Sequence, residues 1–124
     1  MIFSFKKLIK SFGYAIEGLK IAIQEQTFRI FCFIAVLVVI LMFLLEVSFY
    51  EKLILILIIT FLMAFELINS RIEQIINVFQ PNHEQKAKVI KDITAGAVLL
   101  ASLGAVIIGI LIFLPRFLEV LFNL

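Results

Sequence analysis

The chain has 124 residues, of which 64% are hydrophobic and 16% are charged, with a net charge of +2 and a mean hydropathy of +1.19. Soluble domains are about half apolar and about a quarter charged, so this composition excludes an ordinary water-soluble enzyme. The absence of a soluble module with a basic face excludes a nucleic-acid-binding protein, and the single cysteine, Cys32, excludes a disulfide framework or a Cys/His metal site.

The first predicted element is a surface helix over residues 1–29. Its apolar residues recur at helical spacing, and lysines and a glutamate occupy the other side. A basic amphipathic helix that precedes a membrane segment is typical of a helix lying in the headgroup plane. We therefore expect this helix to rest on the membrane rather than cross it.

Three runs without a charged residue follow, at 30–45, 53–65 and 93–115. A membrane-spanning helix needs roughly 20 apolar residues, with a lower limit of about 17. The third run has this length by itself, whereas the second reaches it only if its helix continues through the polar residues that follow. We predict a single all-α domain over 1–124, with membrane helices at about 28–45, 53–79 and 92–114. Pro81 and Asn82 predict the turn between the second and the third.

The basic residues are distributed unevenly along the chain. Nine of the eleven precede the first span or lie between the second and third, and only Lys52 and Arg116 fall on the other side. Positively charged segments stay in the cytoplasm. The distribution predicts a multi-pass protein of the inner (plasma) membrane, with its N-terminus cytoplasmic and its C-terminus outside.

The stretch FELINSRIEQIIN, residues 65–77, is unusually polar for the end of a membrane helix. At about 100° per residue, one helix face carries five polar side chains, all within about 60° of Glu66. We call these five residues the polar stripe: Glu66, Asn69, Ser70, Glu73 and Asn77. Arg71 lies about 140° away, so we assign it to the headgroups or to a neighbouring subunit.

Two interpretations of the polar stripe are open. Polar residues are ordinary at the end of a span, and this accounts for Asn77. It does not account for Glu66, which follows Lys52 by only about 20 Å of helix and so lies within or at the edge of the hydrocarbon. Ionisable groups at that depth usually mark a functional site. Two carboxylates with a carboxamide between them suit a hard cation such as magnesium together with a general base.

A second polar group lies on the same side of the membrane, at Glu25, Lys91 and Asp92. These residues are either interface anchors or part of a site. Magnesium with a nearby lysine is a recurring arrangement for nucleotide phosphates, but the chain has no Gly-rich phosphate loop. The residues alone therefore predict a membrane-embedded site for a divalent cation and an anion.

Three segments, GYAIEGLKIAI, ELINSRIE and KVIKDITAGAVL, resemble in order and spacing the signatures of the prokaryotic diacylglycerol kinase and undecaprenol kinase family. The resemblance covers residues 11–115. It implies a homotrimer whose subunits each have three spanning helices and an amphipathic surface helix. It further implies transfer of the γ-phosphoryl group of ATP, with Mg²⁺, to the hydroxyl of a membrane lipid, either diacylglycerol or undecaprenol.

The resemblance also implies roles for individual residues. Glu66 is the expected general base for the lipid hydroxyl, and Glu25 and Glu73 are the expected metal ligands. The nucleotide site is implied for five further residues: Tyr14, Gly18, Asn69, Lys91 and Asp92.

Two positions depart from the family pattern: Asn77 stands where aspartate is usual, and Arg71 where a small residue is usual. A catalytically degenerate family member, or a non-catalytic ion-binding membrane protein, therefore stays as the alternative function. ATP binding with and without magnesium separates an inert protein from an active one.

Overall fold

The computed structural model describes residues 3–79, 82 and 84–123. Over these residues the chain is all-helical and contains no strand. Its four helices are α1 (Phe5–Ala22), α2 (Gln26–Leu44), α3 (Phe49–Phe79) and α4 (Gln85–Phe122). The last three are each long and apolar enough to cross a membrane, which confirms the three predicted spanning helices.

Helix α1 is shorter than the predicted surface helix over 1–29. It ends at Ala22, and the amides of Gln24 and Glu25 donate to the carbonyls of Ile21 and Ala22 in a tight turn. Helix α2 then begins at Gln26, with Glu25 in an extended conformation at its N-cap. The turn matters for the site because it fixes the position of Glu25.

Helices α3 and α4 extend beyond the predicted membrane segments. Helix α3 begins at Phe49, and α4 runs through Pro115 to Phe122. Hydropathy marks only the apolar part of a helix, whereas polar residues prolong it outside the hydrocarbon. Pro115 removes a single intrahelical donor, a loss that spanning helices tolerate. Of the predicted α3–α4 turn, Asn82 lies in a turn and Pro81 lies outside the described residues.

The spanning helices pack against their neighbours in the chain. Helix α4 packs mainly against α3, and α3 also contacts α2. A small apolar core lies at the end where α2 joins α3, formed by Met42, Val47, Leu55 and Ile112. Most other large apolar side chains are exposed on the helix surfaces. Such an arrangement is stable only where a lipid environment covers those surfaces.

The α2–α3 connection is tight and closed by hydrogen bonds. Glu46 has a φ of 50°, and the amide of Val47 donates to the carbonyl of Met42 at 3.3 Å, as in a Schellman helix end. Ser48 and Glu51 then cap α3 reciprocally, since each backbone amide donates to the side chain of the other residue. Arg116 of α4 donates to the same Glu51 carboxylate at 2.8 Å, which joins α4 to the start of α3.

The left-handed conformation of Glu46 gives a prediction about stability. A side chain with a Cβ is strained at this φ, and glycine is not. We expect Glu46→Gly to stabilise the protein by about 1 kcal/mol. Thermal unfolding in detergent measures the change, and Glu119→Gly, a helical position near the end of α4, is the control that should destabilise instead. A lower unfolding temperature for Glu46→Gly would contradict this account of the turn.

The opposite end of the bundle is polar. Here the α1–α2 turn, the end of α3 and the start of α4 come together, joined by side-chain contacts from Arg71 to Glu25 and from Lys91 to Asn77. We call this region the polar end. Glu25, Glu73 and Lys91, three of the residues predicted to form a site, lie within it.

Candidate active site

An open cavity of about 250 Å³ lies at the polar end, between the α1–α2 turn and the last turns of α3. We call it the polar cavity, and six residues line it: Glu25, Ser70, Arg71, Glu73, Gln74 and Asn77. The two carboxylates predicted to bind metal therefore share one cavity, although Glu25 lies in the α1–α2 turn and Glu73 lies on α3. The turn after α1 carries Glu25 to the face of α3 that bears Glu73.

The two carboxylates of the polar cavity have different surroundings. Glu25 forms an ion pair with the Nη2 atom of Arg71, and about a third of its side chain is exposed. Glu73 is exposed and has no ion-pair partner within the described ranges of the chain. Among the residues that the structure describes, one negative charge in the cavity is thus compensated and the other is not.

Glu66 lies about two turns before Glu73 on α3, closer to the middle of the helix. Its side chain is only 6% exposed, and it is the one buried charged residue among those the structure describes. The hydroxyl of Ser70 donates to its Oε1 atom at 3.1 Å. Because Ser70 also lines the polar cavity, it connects the buried carboxylate to the cavity wall.

Lys91 reaches the same region from α4. Its Nζ atom donates to Oδ1 of Asn77 at 3.0 Å, and Asn77 lines the polar cavity. The hydrogen bond places an ammonium group at the rim of the cavity. Asparagine orients this group without neutralising its charge, whereas an aspartate would do both.

The structure does not bring all the predicted nucleotide residues to the polar cavity. Asp92 accepts a hydrogen bond from Lys88 at 2.7 Å on an exposed face of α4. Asn69 lines a different cavity, between α3 and α4, and Tyr14 is 74% exposed on α1. Gly18 lines a groove between α1 and α3 that Arg71 also borders. The roles of these four residues stay predictions.

Arg71 has a partner within the chain that its angular position on α3 did not predict, and its assignment to headgroups or a neighbouring subunit stays a prediction. Its guanidinium pairs with Glu25 and lines the polar cavity. The angular argument treated α3 as an isolated helix, whereas the α1–α2 turn lies on the Arg71 side and within reach of a long side chain. Gln74 also lines the cavity, and its place next to Glu73 in the sequence was the only signal for it.

Apart from the Arg71 guanidinium, the polar groups of the cavity are carboxylate, amide and hydroxyl groups, and their oxygen atoms suit hard cations such as magnesium. Among the described residues, no three carboxylate, histidine or cysteine side chains converge as a preformed metal site. Magnesium typically takes one or two protein carboxylates and completes its shell with water and substrate phosphates. Glu25 and Glu73 fit that pattern.

The chain is similar to known proteins over most of its length. The family model for prokaryotic diacylglycerol kinase matches residues 13–113. The chain is 37% identical to the undecaprenol kinase of Bacillus subtilis (strain 168) over 111 residues, which cover 89% of this chain and 90% of that protein. It is 38% identical to the diacylglycerol kinase of Synechocystis sp. over 117 residues, covering 92% of this chain and 66% of that protein.

No solved structure matches the chain. The family match covers most of the chain, from α1 through most of α4, and therefore includes every element that forms the polar end. Together with the three spanning helices, it shows a multi-pass membrane protein of the prokaryotic diacylglycerol kinase family, which is a family of lipid kinases.

Proposed function

We propose that this protein transfers the γ-phosphoryl group of ATP to the hydroxyl of a membrane lipid, with Mg²⁺ and with the polar cavity as its site. The observation that carries the proposal is the convergence of Glu25, Glu73 and Lys91 at one end of three spanning helices, next to the buried Glu66. The two relatives are named undecaprenol kinase and diacylglycerol kinase, so undecaprenol and diacylglycerol are the two candidate acceptors.

Glu66 is suited to act on the lipid hydroxyl. It is buried in the part of α3 that a lipid headgroup approaches from the side, and Ser70 holds one of its oxygens. In the transfer step the lipid oxygen forms a bond to the γ-phosphorus while the bond between that phosphorus and the β–γ bridging oxygen breaks. The hydroxyl proton passes to Glu66, and ADP leaves with the bridging oxygen.

Lys91 is suited to bind the phosphate groups of ATP, and the two cavity carboxylates are suited to bind the metal ion that accompanies them. The ammonium of Lys91 is held at the rim by Asn77, where it can contact phosphate oxygens. Glu25 and Glu73 would hold magnesium through their carboxylates. The ion, when bound, neutralises charge on the transferring phosphoryl group. This division of roles explains how a chain without a Gly-rich loop can bind ATP.

The proposed assembly is a homotrimer in the plasma membrane, with the polar end in the cytoplasm. The small residues of α4 support close helix packing between subunits, since a Cβ added at Gly96, Gly104 or Gly109 would meet no atom within 4 Å in the single chain. The excess of basic residues on the side of the polar end supports its cytoplasmic orientation, where ATP is available.

A side-by-side acceptor assay tests the proposal. The purified protein in lipid bicelles receives ATP, magnesium and either diacylglycerol or undecaprenol, and the phosphorylated lipid is measured. We expect phosphorylation of at least one acceptor, with a clear preference that identifies the substrate. ATP and magnesium binding without phosphorylation of either lipid would favour the degenerate family member.

A further inference from the structure

The Arg71 side chain lies between the polar cavity and a groove that separates α1 from α3. Its guanidinium lines the polar cavity together with Glu25 and Glu73. The same side chain also borders the groove between α1 and α3, whose other walls include Gly18, Leu19 and Leu67. The positive charge of the arginine therefore lies at the boundary between a largely apolar groove and the cavity that Glu25 and Glu73 line.

The contact between Arg71 and Glu25 uses only part of the guanidinium. Its Nη2 atom pairs with Oε1 of Glu25, while its Nε atom is buried and has no hydrogen-bond partner in the described structure. A guanidinium that engages a carboxylate through Nε and Nη2 together makes two parallel bonds, and this pair does not. Both side chains are about a third or more exposed, so the pair is also screened by solvent. Glu25 is therefore held by a contact that a stronger ligand can replace.

A divalent cation between Glu25 and Glu73 is such a ligand. It would approach the Glu25 carboxylate, whose Oε1 atom Arg71 engages, within reach of the arginine's own positive charge. Two cations at the same carboxylate repel each other, so binding of one weakens binding of the other. Arg71 then acts on cation binding in two ways, by occupying a ligand and by opposing the incoming charge.

We propose that Arg71 is a positioning residue that competes with the divalent cation for Glu25 and thereby sets the cation concentration the protein requires. The inference rests on the proposed function, because it takes Glu25 and Glu73 as the cation ligands. Arg71 holds the Glu25 carboxylate against α3 until the cation replaces it, after which the guanidinium is free for other acceptors at the cavity. Removing the arginine should tighten cation binding.

The test measures manganese(II) binding to the purified protein in neutral detergent, without ATP or lipid, by electron paramagnetic resonance of the free ion. We expect Arg71→Ala and Arg71→Gln each to bind manganese about threefold to tenfold more tightly than the unmodified protein, the size of effect that a partly exposed ion pair produces. The glutamine variant keeps the side-chain length, so it separates loss of charge from loss of packing. Elution as a single species in size-exclusion chromatography establishes that each variant is folded.

Two further variants make the measurement specific. Arg29→Ala removes an exposed arginine close to the same turn and should leave the manganese affinity unchanged. In a Glu25→Gln background, Arg71→Ala should give no gain, since the contested carboxylate is absent. Equal or weaker binding by both Arg71 variants overturns the inference while leaving the proposed function intact. No manganese binding by any variant overturns the inference and the assignment of Glu25 and Glu73 as ligands of the free cation, whereas lipid phosphorylation is tested separately by the acceptor assay.

Discussion

Glu73→Gln is expected to lower the rate of lipid phosphorylation by at least about 100-fold. Glu73 is the carboxylate of the polar cavity that has no ion-pair partner in the described structure, and it lines that cavity together with Glu25. Glutamine preserves the shape of the side chain and removes the negative charge that a divalent cation needs. Cation binding and turnover should therefore be lost together.

The measurement for Glu73→Gln combines initial rates over a range of magnesium concentrations with manganese binding in the absence of substrates. Glu84→Gln is a matched control, because Glu84 is an exposed carboxylate near the polar end whose side chain makes no capping hydrogen bond. It should retain normal rates. Normal cation binding and normal turnover in Glu73→Gln would remove this residue from the site.

Glu66→Gln is expected to show a different defect. Its side chain is buried, does not line the polar cavity and contacts that cavity only through Ser70. A glutamine can still accept the Ser70 hydrogen bond through its amide oxygen, but it cannot take a proton from the lipid hydroxyl. We expect kcat to fall about 100-fold to 10,000-fold, the usual contribution of a general base.

Binding measurements separate the Glu66 defect from the Glu73 defect. Manganese and nucleotide affinities should stay within about twofold of the unmodified protein in Glu66→Gln, because the cavity itself is unchanged. The unfolding temperature should not fall, since the substitution removes a buried charge. A Glu66→Gln protein with an undiminished kcat would show that proton transfer does not depend on this residue.

Much of the fold could be predicted from the sequence because a bilayer constrains it strongly. Three apolar runs that reach spanning length, two of them only together with flanking residues, leave spanning helices as the only arrangement that satisfies the backbone in lipid. The predicted first and last residues of the helices were less accurate than their number. Nothing in the hydropathy of α4 shows that it continues from Gln85 to Phe122, since a helix can extend past the hydrocarbon without any change in local pattern.

The polar stripe was predictable because side chains on one helix obey a fixed angular period. Three of its members, Ser70, Glu73 and Asn77, do share the polar cavity, and Ser70 contacts a fourth, Glu66. Asn69 lies beside a different cavity, nearer α4. The helical period identifies which residues share one face of a helix. The neighbouring helices determine which cavity each of those residues lines.

Arg71 shows why the rest of the site could not be predicted. Its partner, Glu25, lies far away in the sequence and reaches α3 only because α1 ends in a turn at residues 23–25. No local period encodes such a contact. The hydrogen bond from Lys91 to Asn77 is similar, since it depends on how α4 returns after α3.

The destination of the γ-phosphoryl group of ATP tests the central claim most directly. The purified protein in a bilayer containing diacylglycerol and undecaprenol is given ATP labelled at the γ-phosphorus, and the label is then measured separately in extracted lipid and in inorganic phosphate. The account predicts label in the lipid fraction that depends on magnesium and disappears in Glu73→Gln. Label confined to ATP and inorganic phosphate, while an active relative labels lipid under the same conditions, would contradict it.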